Sequence, residues 1–264
     1  MLLPSLIMSF LRGSRRLRIA GVTVLVLALG ALSTIGTNAG ALARTHPLLP
    51  PHEPHSNYRL ANVDKVLAAI NAARSVQEGL GPLHFDTARF ATLSVSEQVF
   101  VLSNLERTTR GLYPAMAMLT RLDSIAAAAA RRDQDPTDNG KGFSSIWSSA
   151  PSSLGQYSFF ADFGWMYDDG PPPQYIFRNI DCTKIGQAGC WGHRDNILSN
   201  PLKGWRGCPS ELVTGTGFAL RTSDGPSLAQ IFEVVCTTQA KTAAFTWPFA
   251  VSYLHIPASQ AGLR

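Results

Sequence analysis

The fold is decided by residues 213–237, VTGTGFALRTSDGPSLAQIFEVVCT. The two halves of this stretch, 213–220 and 228–237, are rich in β-branched and aromatic residues, and Ser-Asp-Gly-Pro at 223–226 lies between them. β-branched and aromatic side chains favour extended strands, whereas Asp, Gly and Pro favour turns. The stretch therefore predicts a β-hairpin near the carboxyl end of the chain.

The chain before the hairpin is predicted to be mostly helical. Apolar residues recur every three and four positions, and Ser94 and Glu97 have the spacing of a capping box, which marks a helix start. The alanines at 126–130 have high helix propensity and indicate close packing against a neighbour. The predicted helices run from Asn62 to the Gly-Leu-Gly-Pro sequence at 79–82, from Ser94 to Gly111, from about Met118 to Arg132, from Ser158 to Tyr167 and from Gly192 to Leu198.

Helices first and strands last predict an α+β fold, an α-β-α sandwich with N-terminal helices and a small C-terminal antiparallel sheet. Residues 133–157 are rich in Gly, Ser, Pro, Asp and Asn, and predict a long loop with a short strand near Ile146. We assign residues 62–93 to an N-terminal helical extension, 94–240 to the main domain and 241–264 to a C-terminal tail.

The amino end has the order of features found in a secretory signal peptide, residues 1–43. Four arginines precede an apolar run at 19–35, and small residues follow it up to Ala43. This order predicts export and cleavage after Ala43, by the general route or by a twin-arginine route that Ser-Arg-Arg-Leu at 14–17 loosely fits. An uncleaved membrane anchor is the alternative, because the apolar run is close to the length of a membrane span. We expect a secreted protein, extracellular or associated with the cell envelope.

Removal of the leader changes the charge balance. The 264 residues carry a net charge of +5, and the leader arginines supply four of these charges, so residues 44–264 carry +1. So small a charge gives no reason to expect nucleic acid or an anionic membrane surface as a partner, and contact with a membrane is expected only through an uncleaved leader. Residues 44–61 contain four prolines and three histidines and predict a flexible linker.

All four cysteines lie in the last third of the chain, and an even number in an exported protein predicts two disulfides. Three pairings are possible. We favour Cys182 with Cys190, which closes a short loop containing glycine, and Cys208 with Cys236, which joins a loop to a late strand. A metal site built on these cysteines is the competing interpretation, but the chain contains no Cys-x-x-Cys.

The most distinctive motif places one histidine among carboxylates and aromatic residues. Residues 165–170 read WMYDDG, and residues 189–198 read GCWGHRDNIL. The Gly-His-Arg-x-Asn-Ile-Leu run, followed by Gly-Thr-Gly-Phe at 215–218, resembles the bacterial branch of the CAP superfamily of cysteine-rich secretory, antigen 5 and pathogenesis-related proteins, whose domain is also called the SCP domain. Supporting matches are NLER at 104–107, GLYP at 111–114 and the segment 122–130, so the resemblance covers about residues 95–237.

The resemblance implies an α-β-α sandwich, in agreement with the order of elements above. In many members of this superfamily a cleft holds two histidines and two acidic residues that can bind a divalent metal. Here His193 and Asp168 match one residue of each kind, but Ala129 stands at the second histidine, and no acidic residue occurs between Asp138 and Asp162. Since zinc sites usually need at least three protein ligands, the resemblance implies a degenerate cleft, and we expect no metal or other cofactor.

We therefore expect a non-catalytic extracellular module whose cleft binds a small apolar or amphipathic ligand or an extracellular protein. Aromatic residues beside a few polar groups are typical of such clefts. The competing interpretation places these aromatic residues in the core. The expected lining residues are Trp165, Tyr167, Asp168, Trp191 and His193.

Two other functions fit parts of the motif. A peptidase-like hydrolase would use His193 as a general base with Asp168, although no Gly-x-Ser-x-Gly nucleophile motif is present. A calcium site would use Asp168, Asp169 and Asp181, although a turn explains the Asp-Asp-Gly sequence equally well. The residues that follow the histidine are predicted to hold neighbouring loops and backbone, and they are Arg194, Asp195 and Asn196.

Overall fold

The structure is a computed structural model, and it describes residues 63–138, 144–149, 156–167, 192–203, 205–220, 222, 225–239 and 241–263. The helices in these ranges are α1 (Val63–Glu78), α2 (Thr87–Phe90), α3 (Val95–Thr108), α4 (Thr120–Ala130), α5 (Tyr157–Tyr167), α6 (His193–Leu198), α7 (Trp247–Tyr253) and α8 (Ala258–Ala261). The strands are β1 (Ala117–Leu119), β2 (Ser144–Ser149), β3 (Ser210–Ala219), β4 (Ser227–Cys236) and β5 (Ala243–Thr246).

Helix α3 begins as its sequence predicts. The Ser94 hydroxyl accepts a hydrogen bond from the Glu97 backbone N–H, and the Glu97 carboxylate accepts one from the Ser94 backbone N–H at 2.8 Å. This reciprocal capping box satisfies two donors that a helix start otherwise leaves without partners. The third predicted helix starts later than expected, at Thr120, because Met118 belongs to the short strand β1.

The predicted hairpin is present as β3 and β4, which pair antiparallel from Ser210 opposite Cys236 to Ala219 opposite Ser227. The strand expected near Ile146 is also present, as β2. The α+β class is therefore confirmed. The sheet is larger than the small antiparallel sheet we predicted, because its order is β2-β4-β3-β1-β5 and β1 runs parallel to β3.

Helices cover both faces of the sheet. Along β4, Leu228 and Phe232 pack into the core formed with α1, α3 and α5, whereas Ala229 and Ile231 pack against α4 on the opposite face. The alternation follows from the two-residue period of side chains along a strand. The layers are thus α, β and α, as the sequence predicts.

Helix α4 lies unusually close to the sheet, because glycine stands where its backbone meets β3. A Cβ atom added to Gly215 would lie 2.1 Å from the carbonyl carbon of Leu122, and one added to Gly217 would lie 2.1 Å from the backbone nitrogen of Ala127. On the helix side, Ala126 is fully buried. Small residues on both surfaces permit this approach, so the close packing predicted from the alanine run is confirmed.

Residues 241–264 were predicted to be a tail, and this assignment is wrong for the described part. The segment adds β5 to the edge of the sheet and continues into α7 and α8. Trp247 is fully buried, and its indole N–H donates to the Ala261 carbonyl at 2.7 Å. Burial of this large ring fixes the end of the chain to the domain. At the other end, α1 also shares the main core, where Ile70 is fully buried.

The Cys208–Cys236 disulfide is confirmed, with the two Cα atoms 5.6 Å apart. It closes the open end of the β3–β4 hairpin. Cys182 and Cys190 lie outside the described residues, so their predicted pairing stays a prediction. In the ranges that the structure describes, none of the helices combines the length and the apolar character needed to cross a membrane.

Candidate functional site

His193 is the first residue of α6 and is partly exposed. Its imidazole ring centre lies 6.4 Å from the ring centre of Trp165, so the two residues that the sequence motif linked are neighbours. Asp168 and Trp191, the other expected partners, lie outside the described residues. The calcium ligands proposed from the sequence, Asp168, Asp169 and Asp181, lie there too.

Trp165 and Tyr167 were predicted to line a ligand cleft, but their side chains are core. Trp165 is 2% exposed and Tyr167 is 0% exposed. The cause is their position in α5, whose sequence YSFFADFGWMY is apolar almost all round and packs between α1 and α3. A helix that is apolar on all sides is normally buried. Of the expected lining residues that the structure describes, only His193 therefore keeps exposed surface.

Tyr167 instead belongs to a buried group of charges that the sequence analysis did not identify. Its hydroxyl donates to the Glu106 carboxylate at 2.8 Å. The same carboxylate, which is fully buried, accepts hydrogen bonds from the guanidinium groups of Arg74 and Arg110. A buried carboxylate is costly to desolvate, and two guanidinium partners with a phenol offset that cost.

A second carboxylate extends this group towards α6. Glu78 pairs with Arg110, and it also accepts a hydrogen bond from Arg194 at 2.6 Å. Although burial alone would raise the pKa of Glu78, the two arginines lower it below its usual value. We call the set the buried charge cluster, and its members are Arg74, Glu78, Glu106, Arg110, Asp162, Tyr167 and Arg194.

Asp162 differs from Glu78 in the direction of its pKa shift. It is 3% exposed, and burial raises the pKa of its carboxyl well above the usual range, with the negative charge of Glu106 adding to the increase. Burial of this kind favours the protonated form of a carboxyl. The cluster therefore places Asp162, whose carboxyl has no arginine hydrogen bond among the described contacts, beside two carboxylates that contact arginines.

The residues that follow His193 fix α6 in place. The Arg194 guanidinium donates to the Met166 carbonyl at 3.0 Å as well as to Glu78, and the Asn196 amide donates to the Ser145 carbonyl in β2 at 2.8 Å. The structural role predicted for Arg194 and Asn196 is thereby confirmed. Asp195 is exposed on the surface of α6.

Arg107 fixes the other end of α6. Its guanidinium donates to the carbonyls of Ile197 and Ser199, the latter at 2.8 Å, and its Nε–H donates to the Tyr113 carbonyl. Burial lowers the pKa of Arg107 to about 10, so the group remains charged near neutral pH. A positive charge at the last carbonyls of a helix also interacts favourably with the helix dipole.

Asp135 is the neighbour of His193 that sequence reasoning missed. Asp135 is exposed as a residue, but partial burial of its carboxyl raises the pKa, while attraction to His193 and a hydrogen bond from the Trp147 backbone N–H act in the opposite direction. The residue lies in the loop after α4, and no spacing in that loop distinguished it from Asp133 or Asp138. The described site therefore brings together an imidazole, a carboxyl group and an indole ring.

This arrangement allows hydrogen bonding at His193, because an imidazole ring carries one nitrogen that can donate and one that can accept. Across the described ranges, no group of three or more His, Cys, Asp or Glu side chains could hold a metal ion.

No family model, curated protein or solved structure matches the chain. The CAP resemblance thus stays an expectation that rests on short motifs. The geometry itself defines an α+β domain that presents one histidine at the start of a firmly anchored helix.

Proposed function

We propose that this chain is an exported, CAP-like extracellular module that is not an enzyme. In this proposal, the surface around His193 binds a small apolar or amphipathic ligand or an extracellular protein. The signal-like residues 1–43 support export, and the Gly-His-Arg-x-Asn-Ile-Leu motif supports the CAP-like character. The observation that carries the binding role is the anchoring of α6, which presents His193 from a fixed backbone.

The anchoring favours recognition because a group that is already held in place loses little entropy on binding. Contacts from three sides hold α6: Glu78 in α1, Arg107 in α3 and Ser145 in β2. His193 keeps exposed surface on this rigid support, while the neighbouring Trp165 ring is buried in the core. An imidazole on a fixed backbone can donate a hydrogen bond to a ligand or accept one from it.

A hydrolase is the second candidate, and the electrostatic attraction between Asp135 and His193 favours it. A carboxylate that orients an imidazole is the pairing that general-base catalysis uses. In that case Asp135, and not Asp168, would be the carboxylate that acts with His193. We rank this function second because the chain contains no Gly-x-Ser-x-Gly nucleophile motif.

Export is tested by expressing the full chain in a bacterial host with an active secretion pathway. We expect the protein in the culture medium or released envelope fraction, with an N-terminal sequence that starts at Arg44, because small residues at 41–43 form the cleavage site. Mass spectrometry of the purified product measures this start. A full-length product that stays in the membrane fraction would instead establish the anchor alternative.

The role of His193 is tested with anilinonaphthalene sulfonate, an amphipathic fluorescent anion. We expect saturable binding to the exported protein and roughly tenfold weaker binding to His193→Ala, because a charge-assisted hydrogen bond contributes about 1.5 kcal/mol or more. Fluorescence titration measures both. His84→Ala is the matched control, since His84 is also exposed and its only described hydrogen bond uses backbone N–H.

The titration separates the two candidate functions when peptide hydrolysis is measured in parallel. Equal affinity in the wild type and His193→Ala would contradict the binding role. Peptide hydrolysis that is lost in both His193→Ala and Asp135→Asn, but kept in His84→Ala, would contradict the non-enzymatic proposal and support the hydrolase.

A further inference from the structure

A groove of about 320 Å³ lies on the side of the domain formed by α4, the start of α3 and the strands β1, β3 and β5. Its apolar surface comes from Met118, Phe218 and Phe245. Its ionisable lining residues are the two carboxylates Glu97 and Asp123. The groove therefore combines an apolar wall with two acidic groups.

Each carboxylate uses one of its oxygens to hold the fold. Oε2 of Glu97 accepts hydrogen bonds from the Ser94 backbone N–H at 2.8 Å and from the Ser94 hydroxyl at 2.7 Å. Oδ1 of Asp123 accepts the Thr216 backbone N–H at 3.0 Å. Within the described part of the chain, the second oxygen of each carboxylate makes no hydrogen bond, and it remains available to a ligand.

The two carboxylates also lack a positively charged partner among the described residues. In contrast, the carboxylates of Glu78, Glu106 and Glu233 each contact an arginine. The proximity of Glu97 and Asp123 is unfavourable without a cation, because like charges repel more strongly where water is partly excluded. Burial raises the pKa of Asp123 to about 6, and the charge of Glu97 adds to this increase.

We propose that this groove binds a small organic cation, a primary ammonium group carried on an apolar body. The ammonium would lie between the free oxygens of Glu97 and Asp123, to which it can donate its hydrogen bonds. The apolar body would pack against Met118, Phe218 and Phe245, where a phenylalanine ring also attracts a cation placed over its face. This site is separate from His193 and does not rest on the function proposed above.

The size and chemistry of the groove favour an organic ion over a metal ion. A volume of about 320 Å³ lies within the range of small-molecule sites. Calcium takes roughly six to eight oxygen ligands, whereas the groove offers two carboxylates beside an apolar wall. An ammonium with an apolar body matches both surfaces of the groove.

The test uses three probes with similar bodies and different charge, titrated calorimetrically into the exported protein. They are phenethylammonium, phenylethanol and phenylpropionate. We expect phenethylammonium to bind, phenylethanol to bind at least tenfold more weakly, and phenylpropionate not to bind, because only the first carries a cation. Equal affinity for phenethylammonium and phenylethanol, or no binding of phenethylammonium, would overturn the proposal.

Variants assign the binding to the groove without disturbing the fold. Asp123→Asn keeps an oxygen for the Thr216 N–H, and Glu97→Gln keeps the capping box, which accepts Gln in place of Glu. We expect each to weaken phenethylammonium binding at least tenfold. Asp86→Asn removes the same charge at the N-cap of α2, outside the groove, and should change nothing.

Thermal unfolding of every variant verifies that it is folded before binding is compared. Undiminished phenethylammonium binding in a folded Asp123→Asn, Glu97→Gln double variant would also overturn the proposal. His193→Ala should bind phenethylammonium as the wild type does. A result at this groove is therefore independent of any result at His193.

Discussion

Glu106→Gln should lower the free energy of unfolding by about 3–5 kcal/mol, because it removes the negative charge between two buried guanidinium groups. Glu106 is fully buried, and both Arg74 and Arg110 donate to it. Arg110 retains Glu78 as a partner, but Arg74, which is 1% exposed, keeps no carboxylate among its described contacts. The cost of an uncompensated buried charge dominates the result. Denaturant unfolding monitored by circular dichroism measures the change.

The matched control for this prediction is Glu211→Gln. Glu211 pairs with Lys241 where both side chains are partly exposed, at 23% and 21%. Ion pairs in contact with water contribute about 0–1 kcal/mol, so the same chemical change should have little effect there. A loss below about 1 kcal/mol in Glu106→Gln would show that the buried charge cluster does not stabilise the domain in this way.

The parts of the fold that the sequence predicts are those with local causes. The capping box needs only Ser94 and Glu97, and the hairpin follows from strand composition on either side of the turn at 223–226. Strand β1 was missed because it has three residues, and its pairing with Thr214 and β5 depends on chain segments far away in sequence. Such a strand carries no periodic signal of its own.

The candidate site was predicted less well, for a related reason. The place of His193 at the start of a short helix follows from the motif, but its electrostatic attraction to Asp135 depends on the path of a loop some 60 residues earlier, which no pattern fixes. Tyr167 was assigned to a ligand cleft because aromatic residues are common both in ligand-binding sites and in hydrophobic cores. Its hydroxyl pairs with Glu106, which is 61 positions away, and this contact places it in the core.

Glutamate and arginine residues on helices are normally solvated, so the buried charge cluster could not be predicted from composition. Arg74, Glu106 and Tyr167 lie on three different helices that meet only after folding. The pair of carboxylates in the groove likewise forms only when distant segments of the chain meet on folding. The sequence identifies Glu97 as a capping residue, while the fold alone brings Asp123 close to it.

Gly217→Ala should lower the free energy of unfolding by about 3 kcal/mol or more, because the added methyl group meets backbone rather than a movable side chain. The new Cβ would lie 2.1 Å from the backbone nitrogen of Ala127 and 2.3 Å from the carbonyl carbon of Ala126. Helix α4 must then move away from β3, and this motion opens the packing of the alanine face. Denaturant unfolding measures the loss of stability.

Gly164→Ala is the matched control and should act in the opposite direction. Gly164 lies inside α5, and a Cβ added there meets no atom within 4 Å. Alanine in a helix interior is more favourable than glycine by about 0.5–1 kcal/mol, so this variant should be slightly more stable than the wild type. Equal effects of the two substitutions would contradict the close approach of α4 to β3. A loss confined to Gly217→Ala, by contrast, would establish that glycine in this strand is required by the distance between helix and sheet and not by backbone conformation.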